Sequence, residues 1–385
     1  MMARQQLPRG ITKVQVANRK TGKSEDRWRV KLNPVGADGE RRQVNRSFTT
    51  EKAARAFHAE VLGAVQAGTY VSVSARTVEQ ACAEWLASKH RIKASTRRGY
   101  EVALQPVRDE LGSIPVQRLE KADIDKLVVR LRAGEVEGRR AYTPRSANQV
   151  IGRLQQVLAS EMKQGKVVRN VAALVDKVPA DPKRYRTLTE NEILRVIDHD
   201  SRDRALWVLA LYGLRRGEIA GLRWENVDLK AGTVAIVENR VAVGKEAVVG
   251  TPKSKASRRT LPLPDDALAA LKAARKAQTA EKLLLGEDYV DSGYVACNEG
   301  GEPLTPATLS FRWGRMLDGL GIERVRLHDA RHSCATLMHL RGVPIAVIAA
   351  WLGHSSAAFT MATYAHSQDE ALRAAAKSFR PVEAI

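Results

Sequence analysis

Apolar and polar positions alternate over three short N-terminal runs, ITKVQV (11–16), RWRVKLN (27–33) and RRQVNRSF (41–48), and this predicts three strands. Gly36-Ala37-Asp38-Gly39, between the second and third runs, is a turn-rich loop suited to a hairpin. The period then lengthens. Ala54, Phe57, Val61, Leu62 and Val65 fall at helical spacing, and Gly68 stops the pattern. One helix on a three-stranded sheet can bury one face, and the Arg and Lys interleaved along the strands leave the other face cationic.

Residues 69–76 (TYVSVSAR) read as a short linker. Thr77 to Gln80 then fits a capping box, in which a threonine side chain and the side chain three residues on satisfy each other's backbone N–H groups. From there to about Val178 the pattern is helical, with segments at 77–89, 96–111, 122–134, 143–165 and 170–178 punctuated by Gly or Pro; four or five helices are expected. A charged, Pro-containing linker (180–188) precedes a second capping box, Thr189 to Glu192. Helices follow, then a strand-rich patch at 232–263, then helices to the end. In 367–379, Leu372, Ala375, Ala376 and Phe379 form one apolar stripe and predict a C-terminal tail helix. The expectation is a multi-domain α+β chain. Residues 1–72 form a small sheet-plus-helix domain and 73–183 an all-α domain. Residues 184–385 form a mixed, mostly α domain with a small antiparallel sheet.

Composition narrows the classes. The 385 residues include 63 Lys+Arg against 43 Asp+Glu, a formal net charge of +20, which points to a polyanionic partner. The excess is +8 in 1–72, +8 in 73–183 and +4 in 184–385, so it is spread along the chain and is not a basic tail. The longest apolar run, Val343 to Leu352, is far short of the ~18 residues a membrane span needs. No secretory signal is visible, and three scattered cysteines (Cys82, Cys297, Cys334) suit neither a disulfide framework nor a zinc site. A reducing cytosol is the expected compartment. HExxH, CxxC and G-x-S-x-G are missing, Gly22-Lys23-Ser24 lacks the upstream glycine of a phosphate loop, and no metal or cofactor is expected.

Four separated segments carry candidate chemistry: LYGLRRGEIAGLRW (211–224), TPKSKASRRTLPLP (251–264), RLHDARHSCATLM (326–338) and WLGHSSAAFTMATYAH (351–366). Taken singly, each residue has a bland explanation. Arg215 and Arg331 could be ion-pairing arginines, His328 a helix-capping histidine, Lys253 a solvated hairpin lysine and Tyr364 a packing residue. Trp224, Trp313 and Trp351 are expected in the core. Their combination in this order is more specific.

Over essentially its whole length the chain resembles the tyrosine recombinase (phage integrase) family. The family's first arginine falls on Arg215 of GLRRGE and its acidic neighbour on Glu218. The hairpin lysine falls on Lys253, with Lys255 the alternative because hairpin length shifts the match. The His-x-x-Arg pair falls on His328 and Arg331, with Asp329-Ala330 replacing the familiar leucine-containing spacer. The LGH histidine falls on His354 and the nucleophile on Tyr364.

The chemistry of those residues is coherent without the name. Two guanidiniums can fork onto phosphate oxygens and compensate the charge of a pentacoordinate transition state. A phenol with a reference pKa near 10 needs a base such as His328 before it attacks. His354 can hydrogen-bond the phosphate, and an ammonium such as Lys253 can protonate the departing sugar oxygen. Glu218 would orient His328 or an arginine. The resemblance implies a 3′-phosphotyrosyl intermediate, no ATP, and a site-specific integrase of a phage or mobile element acting in the bacterial cytoplasm at the nucleoid. It implies double-stranded DNA with core and arm sites as partner and a homotetramer on that DNA. A directionality factor and a DNA-bending host protein are candidate helpers. The rivals are a type IB topoisomerase-like relaxing enzyme and a DNA-binding regulator that has lost its chemistry.

Overall fold

The computed structural model describes residues 6–17, 24–180, 186–244, 246–250 and 257–354. Backbone contacts group the chain into two compact units, Met1–Pro182 and Lys183–Ile385.

The first unit begins with the expected sheet. Strands β1 (Ile11–Ala17), β2 (Ser24–Leu32) and β3 (Val44–Phe48) run antiparallel in the order β1-β2-β3, with Ile11 opposite Val30 and Arg29 opposite Ser47. Helix α1 (Glu51–Gln66) is started by the Thr50 side chain, which accepts from the Ala53 N–H. Ile11, Val30 and Ala54 form the buried centre, with Trp28, Leu32, Phe48 and Phe57 packed around it. Since successive side chains alternate across a strand, the inward set Trp28, Val30, Leu32 puts Arg27, Arg29 and Lys31 on the open face.

Four helices follow: α2 (Val78–Ala87), α3 (Ala94–Leu111), α4 (Lys121–Ala133) and α5 (Pro144–Lys163). The Thr77–Gln80 capping box is formed as expected. Leu104, Leu127, Leu131, Ile151, Leu154 and Leu158 make a continuous core. Residues 170–178, expected as a helix, form only a single 3₁₀ turn at Val171–Leu174. The cause lies outside the segment: the Asn148 side chain donates to the Val178 carbonyl and accepts from its N–H, both at 2.9 Å, and so takes up the groups a continuing helix would use. The linker ahead of α2 is also pinned. Gln117 donates to the carbonyls of Ser72 (2.9 Å) and Lys166 (3.0 Å) and accepts from Ser74 N–H (3.1 Å). Arg76 pairs with the buried Glu161 at 2.6 Å.

The second unit contains α6 (Glu190–Asp198), α7 (Arg204–Leu211), α8 (Arg216–Gly221), β4 (Val227–Asp228), β5 (Thr233–Ile236), β6 (Asn239–Val243), β7 (Glu246–Gly250), β8 (Arg259–Pro262), α9 (Asp265–Leu285), α10 (Pro306–Gly319), α11 (Leu327–Leu340) and α12 (Ile345–Leu352). The Thr189–Glu192 box caps α6. The strand-rich patch is two sheets rather than one: β5 is flanked by β4 and β8, while β6 and β7 pair with each other. Helix α7 is buried from Ala205 to Leu211. Trp207 and Trp313 meet edge to face with ring centres 5.6 Å apart. Helix α8 lies directly against β6, because a Cβ on Gly217 would stand 2.8 Å from the Arg240 carbonyl oxygen. Among the described residues, no helix is long and apolar enough to cross a membrane.

Candidate active site

Gly213, at φ +92°, turns the chain out of α7 and delivers Arg215 to the N-cap of α8. There the Glu218 carboxylate accepts from the Arg215 backbone N–H (2.9 Å) and from its Nη1 (2.7 Å). Glu218 is only 3% exposed and takes a second guanidinium, that of Arg259 at the start of β8, through Nη1 (3.2 Å) and Nη2 (3.0 Å). Burial alone would push the Glu218 carboxyl up; Arg259 and Arg215 outweigh it and hold the group below the usual carboxylate range. Sequence reasoning gave Glu218 a partner in His328 or an arginine, and its partners here are two arginines.

The C-terminal end of α12 gathers the arginines. Arg259 Nε donates to the Trp351 carbonyl at 2.6 Å, Arg331 Nη2 donates to that of Leu352, and Arg215 Nη2 donates to that of Gly353 at 2.8 Å. Three successive carbonyls at the negative end of the helix thus each receive one guanidinium. Arg331 is 2% exposed and also donates to the Gly213 carbonyl at 2.6 Å, which ties α11 to the turn before Arg215. Gly353, at φ +64°, closes α12 in the left-handed conformation that glycine adopts without strain and directs the chain into His354.

The histidines belong to the same cluster. His328 opens α11 and meets His332 edge to face, ring centres 5.3 Å apart. His328 keeps exposed surface, yet the protein crowding its ring, with His332 and Arg331 beside it, pushes its pKa down to about 4. Partial burial, Arg331 and Arg215 bring His354 to about 4 as well, and His332 is lowered chiefly by burial. All three imidazoles are thus biased toward the neutral form, which can accept a proton or a hydrogen bond. Asp329 does not join them; it is buried and paired with Arg326 at 2.7 Å.

Arg215, Glu218, His328, Arg331 and His354 are thus brought into one cluster. Lys253, its alternative Lys255, Tyr364 and the tail at 367–379 lie outside the described residues. Sequence reasoning missed Arg259, and gave His332 no role. The available signal for Arg259 was slight: a cation at the head of an alternating strand run, RTLPLP, where one face must be buried. Of the tryptophans expected in the core, Trp313 is 1% exposed; Trp224 and Trp351 are half-buried and hydrogen-bonded to Gln278 and to the Tyr212 carbonyl.

Guanidiniums and imidazoles gathered beside one buried carboxylate are groups able to hydrogen-bond an anion. Residues 186–371 match the phage integrase family. The integrase of Streptomyces ambofaciens is 26% identical over 352 residues, covering 88% of this chain and 89% of that protein. A XerC-like tyrosine recombinase of Caldanaerobacter subterraneus subsp. tengcongensis is 31% identical over 195 residues, 47% of this chain and half of that protein's length. Among solved structures, the Tn1549 transposon integrase in complex with a circular-intermediate DNA superposes with a TM-score of 0.65 at 19% identity, covering 79% of this chain and 100% of that one. A lambda integrase tetramer bound to a Holliday junction gives 0.57 at 16% identity, with 99% of both chains covered. Residues 186–371 thus carry a phage integrase family domain, and the chain is similar to integrases and to a tyrosine recombinase.

Proposed function

We propose that this tyrosine recombinase integrates and excises a phage or other mobile element by cutting and rejoining DNA at specific sites, with Tyr364 as the nucleophile. The observation that carries the reading is the convergence of Arg215 and Arg331 on adjacent carbonyls, Gly353 and Leu352, with His354 next in the chain. Arg215, its side chain 31% exposed, contacts the phosphate, and the buried Arg331 adds its charge from behind as the Tyr364 oxygen attacks phosphorus. His328, neutral at pH 7, takes the phenolic proton; His354 hydrogen-bonds a non-bridging oxygen. Lys253 protonates the departing 5′-oxygen, leaving a 3′-phosphotyrosyl ester. Attack by another 5′-hydroxyl reverses each step and joins new strands, so neither ATP nor an external oxidant or reductant enters the balance.

The domain roles belong to the same proposal. The open face of the 1–72 sheet, with Arg27, Arg29 and Lys31 along its central strand, contacts arm-type sites. Helices of 73–183 hold the core site, and 184–385 carries the chemistry. The lambda integrase tetramer on a Holliday junction supports a homotetrameric assembly. The setting is the bacterial cytoplasm, with a directionality factor and a DNA-bending protein as helpers. The test is a nicked core-site duplex that traps the covalent complex. Trapping that requires Tyr364 and yields a free 5′-hydroxyl supports the reading; a 5′-linked adduct, or none, overturns it.

A further inference from the structure

One buried cation of the cluster has no part in the steps just given. Arg259 directs its donors inward: Nε to the Trp351 carbonyl, Nη1 to Glu218 and the Ser257 carbonyl (3.1 Å), and Nη2 to Glu218. Its side chain is 8% exposed, against 31% for Arg215. Of the two arginines on Glu218, Arg215 is therefore the one open to a phosphate.

We propose that Arg259 is a positioning residue for strand cleavage, neutralising Glu218 so that the charge of Arg215 remains available to the scissile phosphate. The inference rests on the reading that Arg215 compensates that phosphate. Its logic is a charge count. With both arginines present, the Arg215–Glu218–Arg259 triad carries one net positive charge, and the exposed guanidinium presents it. Without Arg259, Glu218 and Arg215 cancel. The carboxylate, at 3% exposure, has little water to replace the lost partner, so it holds Arg215 more tightly. Glu218 can then orient Arg215 only by withholding it. The second arginine resolves that conflict.

Geometry adds a second effect. The Trp351 carbonyl that Arg259 holds lies two residues before Gly353, whose carbonyl takes Arg215 Nη2. Arg259 thus fixes the turn leading into His354 from the side of β8, and a misplacement of ~1 Å in such a group can cost ~100-fold in rate.

The test uses full-length protein and a nicked duplex of the attachment core, identified as the direct repeat flanking the element. The scissile position carries either phosphate or an uncharged methylphosphonate, which needs less cationic compensation. Arg259→Ala should cut single-turnover cleavage of the phosphate duplex ~100-fold and of the methylphosphonate duplex only a few-fold, with duplex affinity little changed. Arg215→Ala should show the same contrast. Adding Glu218→Gln to Arg259→Ala removes the uncompensated carboxylate and should recover part of the phosphate cleavage. Arg259→Lys, which keeps the charge but cannot reach Glu218, Ser257 and Trp351 together, should lose less with the same contrast, and decides the matter if the alanine variant does not fold. Equal losses on both duplexes for the Arg259 variants, with Arg215→Ala still relieved by methylphosphonate, would make Arg259 merely structural and overturn the inference. If Arg215→Ala is not relieved either, the phosphate reading fails and this inference falls with it.

Discussion

His328 and His332 stand one helical turn apart on α11 with their ring planes at 84°. Each proton taken up by one makes the other harder to protonate, and Arg331 adds to the effect. Both rings, and His354, have folded-state pKa values below the 6.5 of a free histidine. The unfolded chain therefore binds more protons than the folded one as pH falls from about 6.5 toward about 4. Stability should be fully present above that window and decline through it. Denaturant midpoints from pH 7.5 to 4.5 check this, and the slope should flatten in a His328→Gln/His354→Gln double variant.

The nucleophile assignment predicts that Tyr364→Phe abolishes covalent linkage on the nicked substrate while core-site affinity stays within about twofold, since phosphate contacts come from other groups. Denaturing gels and a binding titration read the two effects separately.

The general-acid assignment predicts a leaving-group effect. Lys253→Ala should slow cleavage of a normal site by ~100-fold or more, but barely affect a site with a 5′-thio leaving group, which departs without a proton. If Lys255 carries the role, the contrast moves to Lys255→Ala.

Packing of α8 on β6 predicts a stability effect. Gly217→Ala and Gly221→Ala place a methyl 2.8 Å and 2.9 Å from the β6 backbone, so each should cost roughly 1–3 kcal/mol. Thermal melts with and without DNA would measure it. Gly63→Ala, whose added carbon meets nothing within 4 Å, is the control.

What could be read from the sequence was what is local. The Thr77–Gln80 and Thr189–Glu192 boxes were legible because each is complete within four residues. The strands at 232–263 were visible by alternation, but not their division into two sheets, because β5 pairs with β8 across an intervening hairpin. The 170–178 segment has helical spacing, and an asparagine 30 residues away overrides it. Arg215, His328, Arg331 and His354 were singled out because their neighbours form recognisable motifs, and the fold brings them together. Arg259 was not: Glu218 and the Trp351 carbonyl, which it holds, lie 41 and 92 residues away, and nothing beside it in the chain announces them.

The pinned linker at 72–76 has a consequence for the DNA. A flexible tether would let the N-terminal sheet search a volume around the helical bundle and accept arm sites at many spacings. With Ser72 and Ser74 both bonded to Gln117, the sheet instead follows the bundle as a fixed extension. Adjustment to spacing and helical phase then falls to the nucleic acid. Half a helical turn added between arm and core should be tolerated poorly, and a full turn much better. On the proposed arm-site role, the attachment region would be measured by a fixed spacing of protein, and its own bending would supply the fit.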